Sequence, residues 1–229
     1  MARFGEALRQ VVSDRYADEE GVAGASPLMN GNRRRAFEYV AWHPCAAPAE
    51  VARALRVSGP TAAWHLAKLA EAGYVQESRQ GRTRRYHAAG LGLEASEVRG
   101  MAAIAERNAA KVVALVLETP GLTATELTKK GAGSPASIRI LTGVGFLSTV
   151  VDGRFRRYYP GPGLAAIERS APKRLRAFRR QLMRRLAHDR LAPDARAAPG
   201  EVLEIDVRFG TERATLRVPT ESLLAGHLG

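Results

Sequence analysis

Apolar positions near the start of the chain follow first a helical and then a strand spacing. Phe37, Val40 and Ala41 stand at the i, i+3 and i+4 positions of one helix face, with Asn32 as the expected N-cap. Further helical spacings are followed by two alternating segments around a turn at Gly81. The pattern predicts three helices and a β-hairpin, with helices at 32–42, 49–55 and 58–72 and strands at 74–80 and 82–88.

The same order of elements is predicted a second time, beginning near residue 109. The segment GRTRRY at 81–86 is matched by GRFRRY at 153–158, and GYV at 73–75 by GFL at 145–147. Both matches have an offset of 72 residues, and a repeat of this length indicates duplication of a small domain.

Three helices followed by a hairpin are the layout of a winged helix-turn-helix, whose third helix enters the major groove and whose hairpin is the wing. We therefore predict a helix-rich α+β protein with two such domains in tandem. The predicted division is an N-terminal extension at 1–31, winged domains at 32–92 and 101–163, a basic amphipathic helix at 166–192 and a C-terminal β-hairpin module at 200–229.

The two predicted third helices differ in length. From its cap to its closing glycine, the first takes 15 residues (58–73) and the second only 11 (134–145). The second helix is therefore expected to be about one turn shorter. It could still read bases, or it could grip phosphates or have become a dimerisation or protein-contact module.

The C-terminal third combines an amphipathic helix with alternating strands. Leu175, Phe178, Leu182 and Leu186 form an apolar stripe on an arginine-rich helix, which could pack on the second domain, dimerise or lie on phosphate. Membrane binding ranks lower, since Pro172 lies near its expected start. After a linker at 192–200, the strands predict a hairpin that either pairs with another copy or covers the body of the protein. We expect a homodimer contact through this helix and hairpin.

The charge balance favours a polyanionic partner. The formal net charge is +12, and the positive excess lies within residues 32–195, because both ends are slightly acidic. No apolar run approaches the ~20 residues of a spanning helix, and no secretory segment is evident. We expect a cytoplasmic, nucleoid-associated protein that binds double-stranded DNA.

Candidate DNA contacts follow from the predicted faces of the third helices and wings. Ala62, Leu66 and Leu69 form the inner stripe of the first third helix, so its other residues are expected to face outward. Packing on a neighbouring element is an alternative for Trp64, and a core position is one for His65. In the hairpin, Arg82 and Arg84 share a side and Arg85 takes the other. The candidates are Ser58, Thr61, Trp64, His65, Lys68, Arg79, Arg82, Arg84 and Arg85, with Ser134, Ser137, Arg139, Arg154 and Arg156 in the second copy.

Catalytic and metal-binding functions are not indicated. The sequence contains no phosphate loop, nucleophile elbow or HExxH motif, so we expect no enzyme. Cys45 is the single cysteine, and His43 lies two residues before it without a second pair at ligand spacing. We predict no cofactor and no metal, and no small-molecule effector is evident.

The segment from Asn32 to His87 resembles the archaeal tandem winged helix-turn-helix transcriptional regulators and, more distantly, the arsenic-repressor-like superfamily. The resemblance covers roughly residues 32–160, and Cys45 stands where that family usually has glycine. Its features are Phe37-Glu38-Tyr39-Val40, Pro44, Glu50-Val51-Ala52, Ser58-x-x-Thr61, His65-Leu66, Gly73 and the Gly81-Arg82 wing, with Pro120-Gly121-Leu122, Thr125-Glu126-Leu127, Ser134 to Ile138 and the Gly153 wing in the second copy.

The resemblance implies a sequence-specific DNA-binding transcriptional regulator. Two alternatives remain at the level of sequence. The protein could be an architectural DNA-binding protein with little sequence preference, or a winged-helix scaffold that contacts other proteins of the transcription machinery.

Overall fold

A computed structural model describes residues 26–105 and 108–228 of the chain, which form a mixed α+β structure. The predicted N-terminal extension therefore lies mostly outside the described residues. Its last part contains a short 3-10 turn at Pro27–Met29, in which Leu28 is fully buried. No helix within the described ranges is long and apolar enough to cross a membrane.

The first unit comprises three helices and a two-stranded hairpin in the predicted order. Its elements are α1 (Gly31–Trp42), α2 (Pro48–Leu55), α3 (Gly59–Glu71), β1 (Val75–Gln80) and β2 (Thr83–Ala88). The two strands pair antiparallel, with Val75 opposite Ala88 and Gln80 opposite Thr83. The prediction for this unit is confirmed to within two residues at every boundary.

Side-chain caps fix where these helices begin. Ser58 caps α3 as predicted, because its hydroxyl accepts a hydrogen bond from the Thr61 amide at 3.2 Å. The cap predicted for α1 was wrong, since Asn30 rather than Asn32 accepts from the Arg33 amide at 3.0 Å. Cys45 adopts a left-handed backbone with φ of 67°, a conformation that glycine adopts without strain.

The second unit repeats this succession. Its elements are α5 (Ala109–Glu118), β3 (Leu122–Thr123), α6 (Ala124–Lys129), α7 (Pro135–Gly143), β4 (Leu147–Asp152) and β5 (Phe155–Pro160). At 9 residues, α7 is four shorter than the 13-residue α3, as expected. The segment between the units also holds α4 (Ala95–Ala105), a helix that the sequence analysis did not predict.

One long helix, α8 (Pro162–His188), packs on both units. It begins before the predicted start at 166, and Pro172 lies inside it rather than at its beginning. The helix continues through this proline because Leu164, Ile167 and Ala171 are buried before it and the predicted apolar stripe is buried after it. Phe178 packs on Phe37 of the first unit, at 6.4 Å between ring centroids.

The C-terminal module is a three-stranded antiparallel sheet rather than a hairpin. The strands are β6 (Asp194–Ala198), β7 (Val202–Phe209) and β8 (Glu212–Pro219), and a short helix α9 (Ala225–Leu228) follows. The predicted linker was therefore wrong over β6, which a cross-strand ion pair stabilises at 2.8 Å between Arg196 and Glu204.

This sheet covers the first unit. The Trp42 indole of α1 donates to the Arg217 carbonyl at 3.1 Å, and the Arg217 amide donates to the Glu38 carboxylate at 2.8 Å. The C-terminal module thus covers the body of the protein, which is one of the two roles considered for it. A homodimer contact stays a prediction.

Candidate nucleic-acid interface

The two faces of α3 differ from the predicted division at two positions. Ala62, Leu66 and Leu69 are fully buried, as expected. Thr61 and His65 are buried as well, at 3% and 0% exposure, so the expectation that they face outward was wrong, and the core position kept as the alternative for His65 is the one observed. The Thr61 hydroxyl lies 2.7 Å from that of Ser58, and this hydrogen bond lets a polar side chain occupy the core.

The outer face of α3 is formed by Trp64 and Lys68 among small residues. Trp64 is half-buried, and the Arg33 guanidinium of α1 lies 5.1 Å from its ring centroid. Lys68 forms a surface ion pair with Glu71 at 2.8 Å. Ala63 and Ala67 lie beside these side chains on the helix, so the helix backbone can approach a partner closely. A cation, an aromatic edge and a close-approach surface suit the major groove.

The first hairpin carries three exposed arginines. Arg79 and Arg84 lie opposite each other in the strand pair, and each is close to Glu77, at 3.6 and 3.7 Å. Arg82 lies beside the turn and is exposed. Exposed surface ion pairs contribute little free energy and exchange readily, so these guanidinium groups remain available to phosphates.

Arg85 does not belong to this exposed set. Its side chain is only 6% exposed and lies 3.5 Å from the Glu50 carboxylate of α2. Glu50 also accepts a hydrogen bond from the Ala47 amide at 2.7 Å, at the start of α2. The predicted DNA contact by Arg85 is therefore replaced by a structural one, although its predicted position opposite Arg82 and Arg84 is confirmed.

The second unit distributes its candidate residues in a comparable way. Ser134 caps α7 by accepting from the Ser137 amide at 3.2 Å, and Ser137 is buried at 9% exposure. Arg139 and Arg156 are exposed and line a groove of about 410 Å³ between α7 and the second hairpin. Arg154 is exposed and lies over the Phe155 ring at 5.0 Å.

The second hairpin also exposes apolar side chains. Val150, Val151 and Phe155 are 53%, 71% and 47% exposed. At the offset of 72 residues, the first hairpin has Ser78, Arg79 and Thr83 at these positions. The two hairpins therefore present different chemistry to a partner, even though both are basic.

Three groups near the first unit have shifted pKa values. Burial lowers the pKa of His87 in β2 to about 4, and burial together with His43 lowers that of His227 to about 4. Burial raises the pKa of the Cys45 thiol to about 12, so this cysteine is a poor metal ligand at neutral pH. Within the described ranges, no three histidine, cysteine or acidic side chains cluster as a metal site would require.

Arg33 and the exposed arginines of α2 were not among the predicted contacts. Arg33 reaches Trp64 from α1, and Arg53 and Arg56 lie at the end of α2 beside the turn that leads into α3. The run NRRR at 32–35 and the polar face of α2 contained the signal, but only the packing of the helices shows that these charges border α3.

Comparison with known proteins agrees with this geometry. Residues 29–76 match a protein family described as winged helix-turn-helix DNA-binding. No curated protein matches the chain significantly. The matched segment spans α1, α2, α3 and the start of β1, and β1 and β2 complete the wing. Residues 29–76 thus belong to a winged helix-turn-helix DNA-binding domain.

Proposed function

We propose that this protein is a transcriptional regulator that recognises specific sites in double-stranded DNA through its first unit. The observation that carries the proposal is the family match over α1 to α3, combined with the free outer face of α3. Trp64 and Lys68 read the major groove, while Arg79, Arg82 and Arg84 of the hairpin contact the phosphate backbone. Thr61, His65 and Arg85 support this surface from the core.

We further propose that the second unit is a diverged winged helix-turn-helix. The succession of elements supports this, as do matching capping contacts: Glu126 accepts from the Thr123 amide at 2.7 Å, as Glu50 does from Ala47 in the first unit. Its short α7 and its exposed Val151 and Phe155 distinguish it from the first unit. Base recognition is therefore assigned to the first unit.

A double substitution on α3 tests the proposal. Trp64→Ala with Lys68→Gln removes both large side chains of the outer face, and each good base contact contributes ~1–3 kcal/mol of discrimination. We expect affinity for a site selected from a random duplex library to fall at least tenfold, with loss of preference over a scrambled duplex. Fluorescence anisotropy at several salt concentrations measures both.

The matched control is Leu117→Ala with Lys111→Gln, which removes one exposed apolar residue and one lysine from α5. It should bind like the parent protein. Equal, steeply salt-dependent binding to all duplexes would instead identify an architectural protein. No DNA binding at low salt would contradict both DNA-binding functions and leave the protein-contact scaffold.

A further inference from the structure

The solvent-facing side of α8 carries a continuous line of positive charge. The exposed residues on this side include Arg169, Lys173, Arg176, Arg180 and Arg184. At 100° per residue they fall within an arc of about 80°, and at 1.5 Å per residue they extend over about 22 Å. We call these five residues the α8 stripe.

Nothing in the described part of the chain neutralises the α8 stripe. No carboxylate there lies within ion-pairing distance of the five residues. Arg174, a neighbour on α8, is instead paired with Glu97 of α4 at 2.7 Å, and the Arg185 guanidinium lies over the Tyr74 ring of the first unit, 5.7 Å from its centroid. The arginines that hold α8 in place are thus distinct from the basic residues that face solvent.

The opposite side of α8 shows which polyanion the stripe suits. Leu175, Phe178, Leu182 and Leu186 are at most 4% exposed, because they pack into the core of the protein. A helix that lies on a membrane needs its apolar face free to enter the bilayer. Here the α8 stripe presents a line of cations, over a length that matches several successive phosphates of a duplex.

We infer that the α8 stripe binds the phosphate backbone of DNA, as a second contact surface that is independent of base sequence. The inference extends the proposed DNA binding and rests on it. Because α8 packs on both units, this surface lies on the helix that connects them. The first unit supplies sequence preference, and the α8 stripe adds affinity that depends on salt.

The test is a salt titration of duplex binding by the full chain. The stripe variant is Lys173→Gln with Arg176→Gln, Arg180→Gln and Arg184→Gln. The control is Lys111→Gln with Arg99→Gln, Arg208→Gln and Arg213→Gln, which removes the same charges from other exposed positions. The probe is a 30-base-pair duplex of scrambled sequence, and circular dichroism melts establish that both variants are folded.

We expect the stripe variant to reduce the magnitude of the slope of log K against log salt by about 3.6, since four phosphate contacts are lost and each contributes ~0.9. The control should retain the parent slope, and the preference ratio for the selected site should survive in both. Equal slopes in stripe variant and control would overturn the inference.

Two further outcomes separate this inference from the proposed function. If the stripe variant loses slope while the α3 double variant binds normally, the stripe is right and the assignment of α3 is wrong. Vesicles of phosphatidylserine and phosphatidylcholine provide the other arm. Loss of vesicle binding with unchanged duplex binding would show that the stripe contacts a membrane and would overturn the inference.

Discussion

Single residues in the first unit show how polar groups are accommodated in a small core. Thr61 has the Ser58 hydroxyl as a partner, whereas the His87 Nδ1 atom is buried without a hydrogen-bond partner in the described part of the chain. Thr61 and His65 were expected at the surface because burial was equated with apolarity, and a core position was only the alternative for His65. Two residues are buried in each of the first two turns of α3, Thr61 with Ala62 and His65 with Leu66, and the apolar pattern identified only one residue of each pair.

The burial of His87 predicts an acid-sensitive fold. Its pKa is about 4 in the folded protein and ~6.5 when unfolded, so the unfolded state binds more protons between these values. Stability is therefore full above about pH 6.5 and falls as the pH drops towards 4. Between pH 7 and 5, His87 should account for about 2 kcal/mol of lost unfolding free energy. Denaturant melts of His87→Gln should show a smaller pH dependence by this amount, whereas His188→Gln, at a 78% exposed side chain, should match the parent.

At the scale of elements, those marked by local sequence signals were predicted, and those that depend on tertiary contacts were not. The caps at Ser58 and Ser134 are local, and they were readable from sequence together with the helices that follow them. The strand at Asp194–Ala198 was not, because its sequence DARAA does not favour a strand and forms one only against β7. The wing arginines show the same limit. Strand alternation predicted which side of the hairpin Arg85 occupies, but not that the Glu50 carboxylate lies beside it there.

The contact between Glu50 and Arg85 is expected to fasten the wing to the helices. Glu50→Ala leaves a buried guanidinium without this carboxylate and removes the cap of α2, so the free energy of unfolding should fall by about 3 kcal/mol. Adding Arg85→Met should restore part of the loss, because an apolar side chain needs no counter-charge. Glu71→Ala, which breaks only the surface pair with Lys68, should cost less than ~0.5 kcal/mol. Similar losses for Glu50→Ala and Glu71→Ala in denaturant melts would contradict this role.

At the scale of the whole molecule, α8 and the C-terminal sheet pack against units that the sequence analysis treated as separate domains. The apolar face of α8 and the strand β8 both pack on the first unit. The surfaces that had suggested a dimer are therefore covered within one chain. The repeat and its basic wings were visible from sequence because they depend on local patterns. Which surfaces remain free could not be read from it, since that depends on how α8 is seated.

The central claim is that the outer face of α3 meets DNA, and the two tryptophans of the chain test it directly. Trp64 lies on this face, whereas Trp42 is bound to the Arg217 carbonyl under the C-terminal sheet. Trp42→Phe leaves Trp64 as the single reporter, and Trp64→Phe leaves Trp42. Titration with a duplex that anisotropy shows to bind should change the emission of the first variant saturably and leave that of the second constant. A response from Trp42 alone, or from neither tryptophan while the duplex is bound, would contradict the account.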